Sequence, residues 1–208
     1  MILRRECAKA MIARPVMNGV LGFRPHTYWA AVVALGGSLE APRVLERARF
    51  EFAGPDERFI YHRAAKGDCE AAAALIEQAR GRCQGTAAAY IAALLKRLDS
   101  AGVEVRLAAT MAAAARPPED LPSILQSHAL IHAAEGNLGR EVIASAARFA
   151  GLEVHRFAEQ ELAGRLHARL GSHEPSLPTR MKQMGATVGP PWGEDYRLAA
   201  QAAWLLLD

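Results

Sequence analysis

The sequence predicts an α/β fold: a five-stranded mixed sheet with helices on both faces. Three observations carry that expectation. Thr27–Leu35 (TYWAAVVAL) is apolar on both faces, the mark of a strand in the middle of a sheet. Arg43–Phe52 alternates, with Val44, Ala48, Phe50 and Phe52 on one face and Arg43, Arg47, Arg49 and Glu51 on the other. Glu46 is the one exception. The strands expected at Val103–Leu107 and Leu152–Phe157 are each reached through a helix, as right-handed parallel crossovers require.

Each element has its own signal. Gly36-Gly37-Ser38 breaks the first strand and turns the chain into the second as a hairpin. Gly54-Pro55-Asp56 marks a turn, and Arg58–Arg63 reads as a third, shorter strand. Asp68 is placed to cap a helix through Arg80. Gly81 and Gly85 predict a kink or break there. Tyr90, Ile91, Leu94, Leu95 and Leu98 then resume a helical stripe. Leu121–Ala134 reads as a helix. Gly136–Phe157 (GNLGREVIASAARFAGLEVHRF) then organises the second half of the chain. It reads as a helix stopped by Gly151 and a strand that alternates. Helices follow at Glu159–Leu170, Pro178–Met184 and Glu194–Leu207.

At 208 residues, with 51% apolar residues, the chain is long enough for one domain with a true core. Its alanine content favours helix and close packing. Of the net charge of +3, residues 1–28 hold +4, from Arg4, Arg5, Lys9, Arg14 and Arg24 against Glu6, which leaves −1 for the rest. Basic character therefore belongs to residues 1–26, expected as a flexible arm, and not to the domain expected at residues 27–208. A nucleic-acid argument from pI alone is weak for that reason. Cys7, Cys69 and Cys83 are odd in number and widely spaced, with no CxxC. They point to reduced thiols and a cytoplasmic setting. No apolar run approaches the roughly 20 residues of a membrane span.

The order strand, strand, short strand, helix, strand, helix, strand, helices resembles the ribonuclease H-like fold. It is similar in particular to the Holliday-junction resolvase (RuvC-type) branch. Gly139-Arg140-Glu141 sits where that branch carries an Ala-Arg-Gly-like element on a helix. Leu152–Phe157 matches the strand that follows, and Glu194-Asp195 with its Ala/Leu continuation matches the closing helix. The resemblance implies a sheet of order 3-2-1-4-5. It also implies carboxylates from the first strand, the fourth strand and the last helix, holding magnesium or manganese for cleavage of nucleic acid. The expected first strand ends Ala34-Leu35-Gly36-Gly37, and the fourth runs into Thr110 and Met111, both without an acid. Only Glu194 and Asp195 stand at a family acid position.

Several residues are candidates for chemistry. His128, His132 and Glu135 stand at i, i+4 and i+7, and on a helix they share a face able to hold a metal, or simply a polar face. Glu135, before Gly136, lies at an expected helix junction near the carboxyl ends of the strands, where α/β sites form. Glu194 and Asp195 open the last helix, where carboxylates also complement the dipole. Arg140 binds phosphate or pairs with Glu135 or Glu141. His62 and Arg63 follow the short strand toward the same edge. Gly36-Gly37-Ser38 can cradle a phosphate or only turn the chain.

Two functions lead, ahead of a third, a small-molecule enzyme that reuses the Gly36-Gly37-Ser38 turn for phosphate. One is a divalent-metal nuclease acting on branched or structured nucleic acid, with Glu135, Asp195 and His132 catalytic and Arg140 on the substrate. Glu135, Asp195, His128 and Glu194 are then the metal ligands. The other is a non-catalytic binding or interaction module derived from that fold, open to homodimerisation.

Overall fold

The computed structural model describes residues 17–113, 120–171 and 175–208. Five strands form one sheet: β1 (Met17–Pro25), β2 (Trp29–Gly37), β3 (Pro42–Glu51), β4 (Val103–Met111) and β5 (Glu153–Phe157), in the order β3-β2-β1-β4-β5. β1 is antiparallel to β2 and β2 to β3, whereas β1–β4 and β4–β5 are parallel. The helices are α1 (Ile60–Ala64), α2 (Cys69–Ser100), α3 (Leu121–Leu125), α4 (His128–Phe149), α5 (Leu162–Leu170), α6 (Leu177–Val188) and α7 (Glu194–Trp204). No helix among the described residues is long and apolar enough to cross a membrane.

Side chains of alternating strand residues divide between two cores. Leu21, Phe23, Val32 and Ala34 pack with α1–α4 on one face. Val20, Val33, Leu35, Ala109 and Met111 pack with α5–α7 on the other. A sheet covered on both faces selects strands that are apolar throughout, which is what made β2 legible.

The strand count and order match expectation, but the strands are not the expected ones. The first strand is Met17–Pro25, within the stretch assigned to a flexible arm, so the sheet begins ahead of the expected boundary at Thr27. Gly19, Gly22 and Pro25 give it poor strand propensity. The sheet uses that feature. A Cβ on Gly22 would overlap the backbone carbonyl of Ala199, so glycine lets α7 lie directly on the central strand. Gly139 plays the same part on the opposite face, where α4 approaches the carbonyl of His26.

The expected third strand is not a strand. Phe59 takes a left-handed conformation (φ 55°), which breaks the extended run, and α1 follows. The register of β3 shifts opposite Ala34 and Leu35, so that Glu46 and Val44, not Leu45, face them. The bulge turns Val44 to the α5–α7 face, whereas Glu46 stays on the face of Ala48 and Phe50, where it pairs with Arg97 of α2 at 2.6 Å.

The expected break at Gly81 and Gly85 is absent. Ile76, Ala79, Cys83, Ala87, Ile91, Leu94 and Leu98 keep one buried stripe running through both glycines, and packing overrides propensity. Asp68 caps α2 as expected, accepting from Ala71 N–H at 2.8 Å. The helix expected at Leu121–Ala134 is two helices separated at Ser127, whose side chain caps α4. α4 then runs unbroken through Gly136, so Glu135 lies within a helix and not at a junction.

The two kinds of glycine respond oppositely to a methyl group. Gly22→Ala is expected to destabilise the protein by ~1–3 kcal/mol, because backbone must move to admit it. Gly81→Ala meets no atom within 4 Å and is expected to stabilise α2 by ~0.5–1 kcal/mol. Urea denaturation midpoints check both signs.

Candidate nucleic-acid interface

The carboxyl end of β1 carries a charged cluster. Val20, Gly22 and Arg24 share the strand face toward α7, so the residue two beyond the Gly22–Ala199 contact meets the first turn of that helix. Arg24 Nη1 donates to Asp195 Oδ1 of α7, and Nη2 donates to Glu159 Oε2 at 3.1 Å. Glu159 lies in the turn after β5. His26 Nε2 is 2.8 Å from the same Asp195 oxygen and 3.1 Å from Arg24 Nη1. The Arg24 side chain is only 18% exposed, and those of Glu159, His26 and Asp195 are each 33% exposed, so the pairs are partly shielded from solvent.

The electrostatics follow. Burial disfavours the charged form of Asp195, but hydrogen bonds and charge from His26 and Arg24 outweigh it, and its pKa lies below the ordinary aspartate value. Burial likewise opposes the charge on Arg24. The bonds to Glu159 and Asp195 prevail and raise its pKa.

Aromatic rings extend from this cluster along the sheet edge. The His26 and Trp29 rings stack at 4.0 Å with planes 10° apart. The Arg49 guanidinium lies 4.1 Å from the Trp29 ring, and Arg58 lies 4.5 Å from Tyr28. Tyr28 meets the exposed Phe59 edge-on at 6.1 Å, and Phe59 meets His62 at the same distance.

The remaining expected site residues lie elsewhere. Glu135 is buried on the α1–α4 face, where Oε1 accepts from Tyr61 N–H at 2.8 Å and His62 N–H at 3.4 Å. It caps α1, and burial raises its pKa despite those bonds. Glu135 and Asp195 therefore hold separate sets of partners. His128 and His132 are exposed on the first turns of α4. Glu194 is exposed at the start of α7. Arg140 pairs with neither neighbouring acid; its Nε is buried and unpartnered, while Glu141 takes Arg156 through two bonds at 2.6 and 2.8 Å. Gly36-Gly37-Ser38 is a hairpin turn in which Ser38 bonds Glu40. Arg24, His26 and Glu159 escaped the sequence reading. The run Val20-Leu21-Gly22-Phe23 before Arg24 was the available signal.

No protein-family model matches this chain, and no curated protein does. Solved structures do. Thermus thermophilus RuvC in complex with a Holliday junction substrate matches with a TM-score of 0.52 at 12% identity, over 90% of each chain. A second Thermus thermophilus RuvC structure matches with a TM-score of 0.51 at 11% identity, over 90% of this chain and 92% of that one. The fold is ribonuclease H-like.

Within that fold, the carboxylates implied for the first and fourth strands are absent. β1 closes on Arg24-Pro25 and holds no acid, and β4 closes on Thr110-Met111 with its one acid, Glu104, at the opposite end. Thr110 is buried with an unpartnered Oγ1, and Met111 lies in the α7-side core. Two divalent ions need several carboxylate oxygens. Here Asp195 and Glu159 already neutralise a guanidinium, and this donor set does not fit a magnesium pair.

Because the folded pKa of Asp195 lies below the unfolded value of about 3.9, its contribution is present above that pH. It is lost as pH falls through the folded value. The stability gap between wild type and Asp195→Asn is therefore expected to narrow on acidification from about pH 6 to about pH 3. Denaturant titrations across that range check it; a constant gap contradicts the ion pair.

Proposed function

We propose that this protein binds structured or branched nucleic acid through a ribonuclease H-like fold and lacks the two-metal cleavage chemistry of that fold. One observation carries the reading: Arg24, on the central strand, holds Asp195 and Glu159 where the fold would otherwise gather acids around divalent ions. A guanidinium supplies fixed positive charge there, but it cannot activate a water or stabilise a leaving oxygen as a metal does. The cation stays; the Lewis acid is gone.

Support for nucleic acid comes from the rings and guanidinium groups beside that cluster. Trp29 and Tyr28 each carry an arginine against the ring, and His26 extends the stack. His26 and Arg49 cover the two faces of Trp29, so the exposed Phe59 ring is left to meet an unstacked base while the arginines take phosphates. The solved relative with a similar fold is held on a Holliday junction, which makes junction DNA the first ligand to try.

Fluorescence anisotropy with four-way junction, duplex and single-stranded DNA tests the proposal. Binding is expected to be equal in magnesium and in chelator, with no cleavage products in magnesium or manganese. Phe59→Ala, which removes the exposed ring, is expected to weaken binding by ~1–3 kcal/mol, the worth of one stacked base. Arg49→Ala is expected to reduce the salt slope by about one. Metal-dependent cleavage, or no binding to any of the three DNAs, overturns the reading. Arg24→Asp addresses the site directly. It leaves three acids facing one another, so its melting temperature is expected to fall in chelator and to recover with manganese, which wild type does not require.

A further inference from the structure

We infer that His62, His128 and His132 form a binding site for a transition-metal ion of the zinc class, on the α1–α4 face and separate from the Arg24 cluster. One ligand nitrogen from each of the three imidazoles lies within 4.8 Å of the others, which among the described residues makes them a group able to hold an ion. His128 and His132 are one helical turn apart on α4, and their Nε2 atoms are 3.2 Å apart. Tetrahedral coordination at about 2.0–2.1 Å sets ligand nitrogens roughly 3.3 Å apart, so this pair already has the spacing of a bidentate helical clamp. His62 reaches the same point from α1, with its ring centre 5.4 Å from that of His128 and 4.8 Å from that of His132.

The surroundings suit a metal. The His62 side chain is 29% exposed and the other two histidines lie on the surface, so an ion has a path in. Behind them, buried Glu135 holds α1 by its backbone N–H groups and lies 3.5 Å from His62 Nδ1. That places a carboxylate behind the ring, leaving Nε2 for the ion, the arrangement that orients metal-bound histidines. Neutral imidazoles favour zinc, copper, nickel and cobalt over magnesium. Three protein ligands on an exposed face leave the fourth position to water or to an anionic oxygen. The sequence signalled two of these ligands by their i, i+4 spacing; the third comes from a segment it assigned to a strand. Glu135 supports the ring and is not itself a member of the ligand group.

The test uses the untagged full chain, stripped with chelator and titrated calorimetrically with zinc, with cobalt as the spectroscopic probe. One zinc per chain is expected, with cobalt giving the absorption of a tetrahedral ion. His62→Ala, His128→Ala and His132→Ala are each expected to lose more than the ~10–100-fold in affinity that an outer-shell partner costs, and Glu135→Gln to lose about that much. His155→Ala, which alters an exposed histidine paired with Glu153, is expected to bind as wild type. His132→Cys guards against variants that merely unfold, since its cobalt form gains a thiolate charge-transfer band. Wild-type affinity in all three alanine variants, equal loss in His155→Ala, or no charge-transfer band in His132→Cys overturns the site. Arg24→Asp shares no residue with this site, and zinc binding is expected to be unaffected by it.

Discussion

A guanidinium on the central strand governs how the carboxyl end of this sheet is built. Arg24 is held between a carboxylate from the last helix and one from the turn after β5, so a single side chain ties both ends of the α5–α7 layer to β1. Burying that charge is costly, and the cost is offset only because two acids meet it with direct hydrogen bonds. The same requirement fixes the acids. Asp195 and Glu159 are taken up by their bonds to Arg24, and are not free to ligate a hard divalent ion. One residue therefore decides both the electrostatics of the edge and the chemistry closed to it.

Seating that side chain requires close layers. Gly22 lets α7 reach the strand backbone two residues before Arg24, and Gly139 lets α4 reach the His26 carbonyl on the opposite face. Alanine continues the theme: Ala199, Ala200, Ala202 and Ala203 are all fully buried on α7. Short side chains bring the helix axis near the sheet and its first turn over the strand end. The two faces then diverge in character. One presents an ion pair flanked by arginine-covered rings; the other presents three converging histidines backed by a buried glutamate.

Much of the architecture was legible because it rests on periodicity. β2 is apolar on both sides since it packs on both faces, and the order of strands and helices implied both the mixed sheet and its ribonuclease H-like arrangement. The bulge in β3 was not legible: it turns Val44 away from the face of Ala48 and Phe50 without leaving a mark in the alternation. The first strand was not legible. Its glycines are selected for helix approach and its arginine for a partner more than a hundred residues away, so local propensity points the wrong way. The site suffered similarly. The spacing of His128 and His132 is local and readable, whereas His62, Arg24 and Glu159 join their partners only through tertiary contacts.

By itself the sequence determined the fold class, the capped start of α2, the glycine stop after α4, the position of Asp195 at the head of the last helix and the shortage of acids on the strands. These depend on neighbours a few residues apart or on residue type alone. Tertiary structure decided which strand is central, that Glu135 caps a helix and does not meet Asp195, that Arg24 occupies the end of β1, and that three histidines converge. Each of those outcomes depends on which surfaces can approach at backbone distance, and the pairing of buried charges across layers has no periodic signature along the chain.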